Sequence, residues 1–229
     1  MRVLFLENRD SFSWNLIDTL PVAREAITMA SVSPAQLVGC ESEHSVVARS
    51  AFPCATKQSR FLTYTRTEND SDNPPQAAGH QLALSDYDCL IIGPGPTDPI
   101  RAGIIDIVNQ AARLQLPTLG VCLGYQAIGL AFGAQLVRTE PCHGKRSQIT
   151  FHRNRMFAGV NGAHTVMRYH SLSLAQIVSP LRVIAQTDDG IPMAIEHESL
   201  PIAGLQFHPD SYATDQGRVI VAAFFQGMT

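Results

Sequence analysis

The fold class predicted by this 229-residue sequence is α/β, with an open, mostly parallel sheet and helices on both faces. Three observations predict it. Apolar runs such as Val3-Leu-Phe-Leu6 and Leu90-Ile-Ile92 lack the alternation of a half-wet strand, so they suit strands buried on both sides. Segments with apolar residues at helical spacing stand between several of these runs. Glycine- and proline-rich turns close the runs, as at Gly93-Pro-Gly-Pro96, and strand, turn and helix in alternation call for parallel strands joined by helical crossovers.

Residues 2–6 form the first predicted strand, closed by the polar Glu7-Asn-Arg-Asp10. Asp10 or Ser11 can cap a helix reaching about residue 20, with Phe12, Leu16, Ile17 and Leu20 on one side. Between about residues 28 and 84 the pattern fades, and 65–81, centred on Asn69-Asp-Ser-Asp-Asn-Pro-Pro75, reads as a long exposed loop. Regular structure resumes with a buried strand at 88–92, a helix at 104–114, a strand at 117–121 and a helix at 123–132. Strand-like segments follow at 166–169, 181–186, 193–196 and 202–207, before a closing helix at 217–226. With no repeat and no linker, the expectation is one domain over 1–229 containing an irregular segment at about 21–84.

Hydrophobic residues at 45% and charged residues at 16% fit a packed domain rather than a coiled coil or a solvated tail. The 17 basic and 20 acidic side chains give a net charge of -3 with no basic run, so no nucleic-acid partner is expected. Cys40, Cys54, Cys89, Cys122 and Cys142 show neither a disulfide framework nor metal-ligand spacing, and no metal or cofactor is expected. The first apolar run is too short for a signal-peptide core. The apolar stretch 116–137 is broken by Gln126, Gln135 and four glycines, so a cytoplasmic protein without a membrane partner is expected. His44, His80, His152, His164 and His197 have no ligand spacing and read as surface or internally satisfied residues. Cys89 reads as an inert core thiol, Cys142 as exposed, and Phe12 and Trp14 as packing residues.

Chemistry concentrates in three stretches. Gly120-Val-Cys-Leu-Gly124 has a candidate nucleophile between two glycines, the pattern of a sharp strand-to-helix turn. Without side chains there, strand and helix can approach closely while Cys122 takes a strained backbone. At a helix head the thiolate is favoured, and the next N–H, on Leu123, points where an oxyanion would form. An ordinary buried cysteine in a βα turn fits this stretch alone equally well. Second, His208 and Asp210 follow an apolar run and leave the same side of an extended chain, as a base and its orienting acceptor would. Third, Gly93-Pro-Gly-Pro96 is no dinucleotide fingerprint, because its prolines lack N–H donors. It is a rigid turn presenting a few fixed N–H groups at the carboxyl edge of the sheet.

Together, Gly120-Val-Cys-Leu-Gly-Tyr-Gln126, His208-Pro-Asp210, Gly93-Pro-Gly-Pro96, Cys142-His-Gly-Lys145 and Arg168-Tyr-His-Ser-Leu172 resemble the class I, triad-type glutamine amidotransferases, with their flavodoxin-like core. The subgroup resembled is that of the small subunits of anthranilate synthase and aminodeoxychorismate synthase, to whose first βα loop Asp10-Ser-Phe-Ser-Trp-Asn-Leu16 is also similar. The resemblance covers 1–20 and 85–226 and does not extend through 21–84.

The resemblance implies hydrolysis of L-glutamine through a thioester on Cys122, with ammonia passed to a chorismate-binding synthase subunit in a hetero-oligomer. His208 would be base and then acid, with Asp210 orienting it. N–H groups of Leu123 and of the turn from Gly95 to Thr97 would hold the oxyanion. Gln126, with the backbone of Ser171 and Leu172, would bind the amino-acid end of the substrate, and the loop His143-Gly144-Lys145 would face the partner. Three positions depart from the family pattern. Asp210 stands for the usual glutamate, about 1.5 Å shorter in reach, Tyr125 for histidine and Thr97 for glycine. The alternatives are a docking subunit whose degenerate triad is silent or gated by its partner, and a stand-alone γ-glutamyl hydrolase.

Overall fold

The structure, a computed structural model, describes residues 1–8, 10–31, 62–63 and 81–228. In chain order its elements are β1 (Val3–Leu6), α1 (Ser13–Ile17), β2 (Ile27–Ala30), the two-residue β3 (Leu62–Thr63) and β4 (Gln81–Leu82), β5 (Cys89–Ile92) and α2 (Ile105–Arg113). Next come β6 (Thr118–Val121), α3 (Leu123–Ala131), β7 (Gln135–Phe151), β8 (Gly162–Ala175), β9 (Leu181–Thr187), β10 (Pro192–His197), β11 (Ile202–Leu205) and α4 (Gly217–Gly227).

Among the described residues, nine strands join in one sheet in the order β2-β1-β5-β6-β11-β10-β9-β7-β8. Neighbours from β2 to β11 are parallel, and those from β11 to β8 antiparallel. β1, β5, β6 and β11 are buried at every position, which is why they read as unbroken apolar runs. Burial of each Leu or Ile in this layer contributes on the order of 2 kcal/mol. Helices α2 and α3 match their predicted spans to within a residue, α2 burying Ile107, Val108 and Ala111 along one stripe. No described helix is long and apolar enough to cross a membrane.

The structure departs from expectation in four places. Helix α1 covers five residues, because the Asp10 carboxylate accepts the Phe12 N–H at 2.7 Å in a local turn, and the chain after Ile17 continues in looser i to i+3 bonds. Leu16, Ile17 and Leu20 are nevertheless buried, as their spacing requires. Strand β2 lies inside the segment expected to be irregular and buries Ile27, Met29 and Ala30 against β1. The sequence marks only 166–169 of the β7–β8 ladder, which pairs Gln135 with Ala175 at one end and Phe151 with Gly162 at the other. β7 is mostly exposed and so shows no apolar run. Cys142 is buried rather than exposed. Of the expected loop 65–81, Gln81 begins β4, while 65–80, like Cys40, Cys54 and His44, lie outside the described residues.

Candidate active site

Cys122 sits between β6 and α3 with φ 53° and ψ −96°, a conformation that side chains rarely adopt. Close packing enforces it. A Cβ on Gly120 would stand 2.3 Å from the Gly124 carbonyl carbon, and a Cβ on Gly124 would stand 2.3 Å from the Ile92 oxygen. The two glycines therefore let α3 press against β5 and β6, and the Cys122 N–H anchors the turn by donating to the Leu205 carbonyl at 2.8 Å. Cys122 is the residue before the first turn of α3 and is 7% exposed.

Parallel pairing of β6 with β11 sets Val121 beside Leu205, so the chains leaving both strands emerge at the same carboxyl edge. His208 follows on the second chain. Its N–H donates to the Met167 carbonyl of β8 at 3.0 Å, and its carbonyl accepts the Thr214 hydroxyl at 2.6 Å. Its ring meets Phe12 and Tyr169 edge-on, with centroids 5.5 and 5.1 Å away, and is 2% exposed. Burial by itself would weaken its hold on a proton, but the Asp210 carboxylate and the Cys122 sulfur outweigh burial and raise the His208 pKa to about 10. Nδ1 lies 3.5 Å from Asp210 Oδ1. At that separation Nδ1 and both carboxylate oxygens, all buried, make no hydrogen bond.

Gln126 on α3 donates from Nε2 to the Leu172 carbonyl and to Gln206 Oε1, each at 3.3 Å, while Gln206 Nε2 approaches Cys122 Sγ to 3.8 Å. Gly95 packs on the elbow, since a Cβ there would meet the Leu123 side chain at 2.5 Å. Its turn is tied to the loop after β1 by Asn8 Nδ2, which donates to the Gly93 carbonyl at 2.9 Å.

Of the residues singled out in the sequence, Cys122, His208, Asp210, Leu123, Gly95, Gln126 and Leu172 thus form one connected cluster. Ser171 is half-buried on β8 beside Leu172. Thr97 is exposed, its hydroxyl turned to the Asp98 carbonyl. His143, Gly144 and Lys145 are exposed but belong to β7 rather than to a free loop: His143 pairs with Tyr169 and Lys145 with Arg168, and Gly144 is the bulge between them. Tyr125 is wholly buried, and its hydroxyl donates to the Pro192 carbonyl at 3.1 Å.

Sequence reasoning missed two contributions. Gln206 falls inside the predicted strand 202–207 and is not singled out by the sequence, although a polar residue ending a buried strand is an available signal. Phe12, expected only to pack, forms with Tyr169 an aromatic cluster against the imidazole. Chemically, the cluster combines a buried thiol on a strained elbow, a strongly basic imidazole, a carboxylate behind it and amides around the sulfur, the parts of a nucleophilic acyl-transfer site.

Residues 52–228 match the family described as glutamine amidotransferase class-I. Over 141 residues the chain is 46% identical to anthranilate synthase component 2 of Mycobacterium tuberculosis, covering 59% of this chain and 60% of that protein. It is 33% identical over 226 residues to an aminodeoxychorismate synthase of Streptomyces pristinaespiralis, covering 98% of this chain and 26% of that protein. The chain thus spans less than two thirds of the length of either relative. A crystal structure of a glutamine amidotransferase from Thermotoga maritima shares the fold at a TM-score of 0.58 and 12% identity, covering 92% of this chain and 76% of that one. With more than half of its residues matched to one family, the chain belongs to the class-I glutamine amidotransferases.

Proposed function

We propose that the chain is a glutaminase subunit that hydrolyses L-glutamine and delivers the ammonia to a chorismate-binding synthase subunit. The observation that carries this is the meeting, at one sheet edge, of Cys122 on its elbow with an imidazole of raised basicity backed by Asp210. His208 takes the proton of the Cys122 thiol, Sγ attacks the side-chain amide carbon, and the Leu123 N–H with the turn from Gly95 to Thr97 holds the oxyanion. The carbon–nitrogen bond breaks as His208 gives its proton to the leaving nitrogen, so ammonia departs and a γ-glutamyl thioester remains. Water then attacks the thioester and loses its proton to His208, the sulfur leaves, and glutamate is released. Gln126 and the backbone of Ser171 and Leu172 hold the amino-acid end of the substrate. The exposed face of His143, Gly144 and Lys145 meets the synthase. The names of the relatives, anthranilate synthase component 2 and aminodeoxychorismate synthase, support a synthase of that class as ammonia acceptor.

The test is ammonia release from glutamine with and without a chorismate-binding synthase, for the natural chain and for Cys122→Ala. Synthase-stimulated release that Cys122→Ala abolishes is expected, and equal release by both proteins would contradict the assignment. The loose contact between Asp210 and His208 favours a gated form of the same activity, slow in the free subunit and faster in the complex.

A further inference from the structure

We infer that Gln206 donates a hydrogen bond that stabilises the anionic form of the Cys122 sulfur, and that buried polar groups running back to Arg168 fix its amide in that orientation. The inference deepens the proposed function and rests on Cys122 being the nucleophile.

The orientation follows from the Leu172 carbonyl, behind which His170 and Arg168 stand. Arginine has donors only, so Nε of Arg168 donates to Nε2 of His170 at 3.0 Å. Nδ1 of His170 must then carry the ring proton, and it donates to the Leu172 carbonyl at 2.9 Å. Burial and the adjacent guanidinium lower the His170 pKa to about 4, in keeping with a neutral ring that accepts at Nε2. The Leu172 carbonyl, an obligate acceptor, also takes Nε2 of Gln126, which settles which end of that amide is nitrogen. The second hydrogen of the same nitrogen meets Oε1 of Gln206, leaving only Nε2 of Gln206 to face the sulfur. A flipped Gln206 would set two amide nitrogens against each other and aim a lone pair at Sγ.

Charge on the sulfur therefore meets donors. Gln206 is wholly buried, and Gln126, His170 and Arg168 are nearly so, which keeps water from doing the same work. Nη1 of Arg168 donates to the Ser147 hydroxyl at 3.2 Å, and no ion pair among the described residues includes Arg168. Its charge is thus not cancelled by a neighbouring carboxylate. Of the other titratable groups, His208, with Asp210 behind it, faces the sulfur, and His143 lies in the field of His170.

The test is alkylation of the full chain by iodoacetamide across a pH series, with modification at Cys122 followed by peptide mass spectrometry. Gln206→Met keeps the length and removes the donor, whereas Gln206→Glu keeps the shape and adds negative charge. At pH 7, Gln206→Met should slow alkylation of Cys122 about 10-fold and Gln206→Glu more, with all rates converging where the sulfur ionises unaided. An unchanged rate, or a rate reduced equally at every pH, would overturn the inference. Should Gln206→Met not fold, Gln206→Glu and Arg168→Met carry the same comparison, Arg168→Met with a smaller slowing in the same direction. Full glutaminase activity in Cys122→Ala would instead remove the nucleophile itself, whatever the Gln206 profiles.

Discussion

Nδ1 of His208 and the carboxylate of Asp210 face each other at 3.5 Å inside the protein, and neither carboxylate oxygen receives a hydrogen bond from any described residue. An N–H bonded to a carboxylate normally sits at about 2.8 Å, and one more methylene adds about 1.5 Å of reach. Asp210→Glu is therefore expected to raise the kcat of glutamine hydrolysis by about 3- to 10-fold, and Asp210→Asn to lower it by at least about 10-fold. Steady-state kinetics decide it. A kcat for Asp210→Glu at or below that of the natural protein would mean that the contact is not limiting.

The raised basicity of His208 has a stability consequence. Its pKa moves from 6.5 to about 10 on folding, so the folded ring holds its proton more tightly than the unfolded one. The resulting stability is fully present below about pH 6.5 and is lost as pH rises through about 10. Asp210→Asn removes one source of the shift. The Tm advantage of the natural protein over that variant should shrink between pH 7 and 10, by on the order of a few degrees. An advantage that stays flat or grows over this window would contradict the ion contact.

Phe12 and Tyr169 both pack on the imidazole at T-shaped angles and against each other, their own centroids 5.2 Å apart. Phe12→Ala should free the ring and cut kcat about 10-fold while leaving Tm within a few degrees, because Phe12 is only half-buried. Phe12→Tyr, which keeps the ring, should retain most of the rate. A loss confined to KM would assign Phe12 to substrate binding instead.

At the elbow, Gly124→Ala places a methyl 2.3 Å from a backbone oxygen of β5, a clash that no side-chain rotation relieves. A loss of at least about 2 kcal/mol in urea unfolding is expected. Gly133→Ala gives the contrast: nothing lies within 4 Å of its Cβ, and the cost there comes from the positive φ of 89°, about 1 kcal/mol. Equal effects at the two positions would mean that the elbow is looser than it stands here.

Reading these elements from sequence worked where one physical signal dominated. β5, β6 and β11 are buried on both faces, so their apolar runs identify them, and α2 carries a clean buried stripe. Where burial is one-sided the signal weakens. Most of β7 faces outward and its pairing with β8 shifts register twice, so neither strand period nor apolar run survives in residues such as Arg138, Glu140 and Lys145. In the site, Cys122 and His208 announce themselves because few residue types do their chemistry. Gln206 does not, since an amide takes its meaning from what surrounds it, here Gln126 on one side and a sulfur on the other.

The central claim is that Cys122 carries the γ-glutamyl group. Acid quenching during turnover with glutamine, followed by intact-mass and peptide analysis, tests it most directly. A labile glutamyl adduct on the peptide containing Cys122, absent from Cys122→Ala and accumulating in step with an initial burst of ammonia, is the expected result. Turnover with glutamyl mass on no peptide, or on a peptide without Cys122, would contradict it.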